Sequence, residues 1–241
     1  VIDQDTLFYR EVSSDADAEQ AIAGNSFPRM LYMRYEGLTN FKLFKWLYQQ
    51  GLVDCSTTKF EDMKVPDALL RSYRDLLKEA QLMPATTLVF DGSCTKRWVN
   101  AICAFRNMHL ITDQSVEMLK GELLQLLDEL EEIAVAGQFR SGKPVSIYIS
   151  DMDIEATYCY VAARHYRASC IETFSINSLR SADPGMFEHV KRWITSLSRF
   201  ATLISCSGEL QRIHFFKRQR AIVAELEREG LEPSPSEVFQ E

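Results

Sequence analysis

The spacing of apolar residues divides the chain into segments of two different periods. From Thr39, the run "NFKLFKWLYQQGL" places Phe41, Phe44, Leu47 and Tyr48 at the i, i+3, i+4 spacing of an amphipathic helix, and Gly51 ends it. "DALLRSYRDLLKEAQL" repeats that spacing at Leu69, Leu70, Tyr73, Leu76 and Leu77. The clearest stripe lies at 113–136, where Val116, Leu119, Leu123, Leu126, Leu127, Leu130 and Ile133 form one face. Thr112 or Asp113 can cap its start, and Gly137 supplies a stop. Three stretches read as strands: a short apolar start ending at Asp3, the β-rich "TTLVF" ending at Asp91-Gly92, and "VSIYIS" over 145–150. The last dozen residues of 145–166 predict a helix, and 168–176 predicts a strand. Asp183-Pro184-Gly185 predicts a turn, with helices over 186–206 and 208–229 beyond it.

Strands alternating with helices predict an α/β fold with a mainly parallel central sheet flanked by helices and a helical C-terminal extension. One domain is expected: an α/β unit over 1–185, its helical extension over 186–230, and a flexible tail over 231–241. With only 10 glycines and 7 prolines in 241 residues, turn-dense all-β architectures are disfavoured and long helices favoured. The net charge of −7 confines any nucleic-acid binding to a local basic patch. No apolar run approaches the length of about 18 residues that spans a bilayer, so no membrane helix is expected. The cysteines at 55, 94, 103, 159, 170 and 206 lack CxxC or CxxH spacing. That argues against a zinc site or a disulfide framework and for an intracellular setting, cytoplasm or nucleus.

In a parallel α/β sheet, ligands bind beyond the carboxyl ends of the strands. The predicted strands end at Asp3, at Asp91, and at Asp151 with Asp153. Carboxylates gathered on one edge repel unless a hard cation such as Mg²⁺ or Mn²⁺ sits among them. Glu155 adds a third acid to the D-x-D-x-E cluster. A plainer reading stands beside this one: aspartate is common at strand ends and helix starts, where it accepts free backbone N–H groups.

The segments "VIDQDTLFYR", "TTLVFDGSCTKR" and "SDMDIEATYCYVA" resemble the flap-endonuclease and Asteroid-like branch of the PIN-like nuclease superfamily, over roughly residues 1–176. The family's first strand ends in Asp before an apolar-aromatic pair, here Asp3 with Leu7, Phe8 and Tyr9. Its V-F-D-G element is Val89 to Gly92, followed by the basic Lys96 and Arg97. In its E-A-D-x-x-x-A-Y motif, Asp151 stands for the Glu, Asp153 for the Asp and Tyr158 for the Tyr. The resemblance implies a PIN-like fold with Asp3, Asp91, Asp151 and Asp153 as catalytic metal ligands and Glu155 as an additional one. It also implies Mg²⁺ or Mn²⁺ as cofactor, with Lys96 and Arg97 on the backbone phosphate. Two departures matter. The family's later D-S-D-like pair is replaced by "CIETFSINSLRS", with Glu172 its only acid, and the G-I-x-G-L opening is absent. The resemblance therefore also permits an inert member that serves as a scaffold.

Near the C-terminus, "LQRIHFFKRQR" groups Arg212, His214, Lys217, Arg218 and Arg220 around Phe215 and Phe216. Arg212, Lys217 and Arg218 are candidates for contacts to nucleic acid. The competing reading is an amphipathic helix with Ile213 and Phe216 in the core and its cations in solvent. No Walker loop or GxGxxG is present, and a sugar-nucleotide enzyme using Asp151-x-Asp153 is a weaker third option. The leading expectation is a metal-dependent, nuclease-like protein that cleaves or binds nucleic-acid phosphodiesters. The alternative is a non-catalytic scaffold that meets a protein partner through the 113–136 helix.

Overall fold

The structure is a computed structural model that describes residues 35–54, 56–64, 86–151, 156–162, 167–173, 178–181, 183–206 and 208–227. The strand expected to end at Asp3 and the helix expected over 67–82 lie outside these residues. Two neighbouring side chains of strand β1 (Thr86–Asp91) set the layers. Leu88 and Val89 are both fully buried, but they join separate clusters, as the period-two alternation of a strand requires.

Leu88 belongs to the larger core. Helices α1 (Glu36–Gln49), α2 (Cys94–Asn107), α3 (Asp113–Ala136) and α5 (Glu209–Val223) feed that core, as does strand β2 (Val145–Ser150) through Val145, Ile147 and Ile149. Its centre is aromatic: Phe41, Phe44 and Tyr48 meet Phe105 with ring centroids 5.4, 5.6 and 5.2 Å apart. Val89 instead meets Val190, Ile194 and Leu197 of helix α4 (Pro184–Ser198), with Tyr148 of β2 packed alongside.

The sheet continues through β3 (Ala156–Ala162), β4 (Arg167–Thr173), β5 (Ser178–Ser181) and β6 (Thr202–Leu203), in the order β5-β4-β3-β1-β2-β6. Among the described residues only β1 and β2 run parallel; every other pairing there is antiparallel. The expected mainly parallel sheet is thus corrected to a mixed one. The physical reason is connection length, because a parallel pair needs a crossover of a dozen or more residues. Only α2 and α3, between β1 and β2, supply it for neighbouring strands, whereas four-residue connections join β3 to β4 and β4 to β5. The helix expected over the last dozen residues of 145–166 is likewise corrected, since 156–162 is β3. Thr157, Tyr158, Tyr160 and Val161 are β-branched or aromatic, and the segment finds ladder partners on both sides. The expected turn at Asp183-Pro184-Gly185 is a helix start: Asp183 accepts the Met186 N–H at 2.8 Å, and Pro184 opens α4. The helix expected over 186–206 stops at Ser198, short of β6.

Helix α3 has the predicted boundaries. Thr112 caps it by accepting the Ser115 N–H, and Gly137 closes it at φ 61°. A Cβ on Gly137 would lie 1.9 Å from Cys206 Sγ, so both the left-handed backbone and the space demand glycine. The apolar face of α3 is spent internally. Val116, Leu119, Leu123, Leu127 and Ile133 are buried, Leu124, Leu126 and Leu130 pack against the same core, and only Met118 and Val135 among its large apolar residues are exposed. For the scaffold alternative, this helix offers Met118 and Val135 as its exposed large apolar side chains. Among the described residues no helix is long and apolar enough to cross a membrane.

Glutamates from distant positions cap two helix starts. Glu61 accepts the Thr112 N–H at 2.9 Å and the Thr112 hydroxyl at 2.8 Å, and binds the Ser115 hydroxyl as well. Glu122 of α3 accepts the Gly37 and Leu38 N–H groups at 3.1 and 2.8 Å, where α1 has no side-chain cap of its own. Burial pushes the Glu122 carboxyl above its ordinary 4.5, outweighing the two amides that favour its ionised form, and nearby Glu36 adds to the rise. Unfolded chains ionise this residue first, so between the ordinary and the raised value the native state holds the extra proton. Its stabilising contribution is full below the ordinary value and declines as pH rises across that window. Glu122→Gln keeps an acceptor for α1 and removes this decline. Urea midpoints from about pH 4 to about pH 7 should show wild type losing stability relative to the Gln variant. A difference that stays flat across the range would refute the assignment.

Candidate functional site at the carboxyl end of β1

Asp91 closes β1 where Gly92 and Ser93 turn the chain into α2. It is 3% exposed, and both carboxylate oxygens are engaged. Oδ1 accepts the Ser93 N–H at 2.6 Å, the i to i+2 bond that aspartate commonly makes at a turn. Oδ2 pairs with Arg97 Nη1 at 2.6 Å, and the same nitrogen reaches Ser93 Oγ at 2.9 Å. The turn is braced from two further elements. Gly92 donates its N–H to the Ser150 carbonyl at 3.3 Å, and Gln219 of α5 donates its amide to the Gly92 carbonyl at 3.1 Å. The D-G-S spelling of the turn hints at the Ser93 bond, but nothing in the sequence pointed to Gln219.

Asp151 follows directly after Ser150, the residue paired with Asp91 in the parallel register, and it is exposed. β3 enters on the other side of β1, with Tyr158 opposite Val89. The two strands flanking the carboxyl end of β1 are therefore joined by the connection that carries Asp153 and Glu155. Those two residues and Asp3 lie outside the described residues. Of the expected acids, Asp91 and Asp151 are thus brought to one edge. Among the described residues no group of three metal-ligating side chains occurs.

The basic candidates separate. Lys96 is exposed in the first turn of α2, beside the Asp91 turn. Arg97, expected at a phosphate, is the counter-ion of Asp91, with 29% of its side chain exposed. Arg212 is 7% exposed and donates to the carbonyls of Ile204 and Cys206 at 3.2 and 3.3 Å, so it holds the connection from β6 to α5. Arg212, Phe216, Gln219 and Val223 form the buried face of α5, while Lys217 and Arg218 are exposed. Ile213, expected in the core, is 47% exposed.

A divalent cation bonded to Asp91 would share its carboxylate with the Arg97 guanidinium on Oδ2 and the Ser93 amide on Oδ1, whereas the carboxylate of Asp151 is exposed. A cavity of about 850 Å³ lies at the opposite end of α2, lined by Lys59, Glu61, Arg106, His109 and Asp113 among others. Arg106 there pairs with Asp113 at 2.7 Å, and Lys59 donates to the His109 carbonyl at 3.1 Å. No protein-family model, curated protein or solved structure matches the chain.

The two partners of the ion pair differ in desolvation, and this predicts unequal losses. Arg97→Met removes the counter-ion 2.6 Å from a buried carboxylate and should cost about 3 kcal/mol or more, whereas Asp91→Asn removes it from a partly solvated guanidinium and should cost about 1–2 kcal/mol. The double variant should recover part of the Arg97→Met loss. Chemical denaturation measures all three, and equal single losses would contradict the asymmetry.

Proposed function

We propose that the protein is nuclease-like and intracellular, and that it binds nucleic-acid phosphodiesters at the carboxyl end of β1, with Asp91 serving structure instead of metal catalysis. The observation that carries this reading is the Asp91–Arg97 pair: a carboxylate where a metal nuclease would hold a cation, already neutralised at 2.6 Å. Lys96, exposed in the same turn of α2, is the residue that meets the phosphate. Mg²⁺ or Mn²⁺ would rest on Asp151 together with Asp153, two of the three acids between β2 and β3, with Glu155 as the third. The resemblance to PIN-like nucleases supports the reading. So do the free thiols of Cys94, Cys103 and Cys206, which suit an intracellular protein.

The test combines calorimetry with MnCl₂ and fluorescence anisotropy with a single-stranded oligonucleotide. Mn²⁺ binding should be weak, lost in Asp151→Asn and retained in Asp91→Asn. Oligonucleotide affinity should fall with salt, and Lys96→Ala should lower that slope by about 0.7, the share of one phosphate contact on a single strand. Mn²⁺-dependent cleavage by wild type that disappears in Asp91→Asn would overturn the structural role of Asp91. Absence of oligonucleotide binding at low salt would sink the reading altogether.

A further inference from the structure

Cys159 of β3 and Cys170 of β4 stand directly opposite one another in the antiparallel register. Leu88 of β1 lies opposite Cys159, and Arg180 of β5 lies opposite Cys170, so the four positions form one row across the sheet. Directly opposed residues of antiparallel strands have Cα atoms about 4.5 or 5.5 Å apart. Both values fall inside the window of about 4.4–6.8 Å that a disulfide requires. Eleven positions separate the two cysteines along the chain, and only the hairpin register brings them together. Cys94, Cys103 and Cys206 lie outside the sheet, on α2 and in the connection before α5, and are free.

We propose that Cys159 and Cys170 are a dithiol–disulfide pair, a redox-modification site that reversibly locks the β3–β4 hairpin. The inference is independent of the function proposed above. Its oxidant is a low-molecular-weight disulfide such as oxidised glutathione. We assign the first attack to Cys170, the sequence from Cys159 being its mirror image. That attack breaks the S–S bond of the oxidant, forms a mixed disulfide on Cys170 and releases one glutathione thiolate. Cys159, losing its proton to solvent, then attacks the Cys170 sulfur and expels the second glutathione thiolate. Two protein thiols become one disulfide while one small disulfide becomes two thiols, so electrons and protons balance. Cβ atoms of opposed strand residues sit about 4.5–5.5 Å apart, a little beyond the roughly 3.5–4.5 Å of a relaxed disulfide. A bond that draws the strands together in this way is more readily reduced, which makes the lock reversible.

The full chain, first fully reduced, is equilibrated at graded ratios of reduced to oxidised glutathione, alkylated and mapped by peptide mass spectrometry. Cys159 and Cys170 should lose alkylation in step and appear as one linked pair. They should recover together when reduced glutathione is restored. Cys159→Ser should instead leave a persistent glutathione adduct on Cys170. The wild-type mapping decides the matter without any substitution, so a variant that folds poorly does not blur the result. Independent alkylation of the two residues, a lasting glutathione adduct on wild-type Cys170, or linkage to another cysteine would each overturn the proposal.

Discussion

A carboxylate 3% exposed at the end of the strand between β3 and β2 cannot stand alone, and the need to neutralise Asp91 organises this end of the molecule. An isolated buried charge costs several kcal/mol. Here Arg97 supplies the counter-charge and the Ser93 amide satisfies the other oxygen, which ties the first turn of α2 to β1. Since Arg97 holds Ser93 through its hydroxyl too, strand, turn and helix act as one unit. Ser150 and Gln219 then attach that unit to β2 and α5. Asp91 thus accepts a turn amide, as aspartate does at many strand ends, with an added ion pair.

Some elements were legible because local signals agree. Thr112, the leucine period and Gly137 all mark α3, and the structure has the helix between those limits. β1 is a β-branched run with no helical alternative, and it ends at Asp91 as read. Residues 156–162 were not legible, since a short apolar run without clear alternation suits either a helix or a strand until its partners are known. β1 and β4 decide it. The role of Arg97 was hidden for a related reason: positions i and i+6 meet only through a particular strand-to-helix turn. Arg212 misled because a cation on an amphipathic segment is ordinarily solvated, whereas here backbone carbonyls receive it.

The antiparallel course of β3 changes how acids reach the edge. In an all-parallel sheet each carboxylate arrives at the end of its own strand, and three strand ends would be needed. Here β2 ends and β3 begins on either side of the end of β1, so one short connection carries Asp151, Asp153 and Glu155 between them. The crowding of like charge that marks this stretch then belongs to the one segment between β2 and β3. It does not require several strands to agree in direction.

The charge distribution bears on where a phosphate backbone would approach. The solvent side of α3 presents Asp113, Glu117, Asp128 and Glu132, and its other acids, Glu122, Glu129 and Glu131, are half-buried. Arg106 pairs with Asp113, Lys120 with Glu117, Arg220 with Asp128 and Glu131, and Arg140 with Glu132, so fewer cations than acids line this helix. At the other end of α2 from its junction with α3, Arg97 cancels Asp91 and leaves Lys96 as an exposed cation in that turn. The same ion pair that occupies the Asp91 carboxylate therefore removes a negative charge from the place where the proposed ligand arrives.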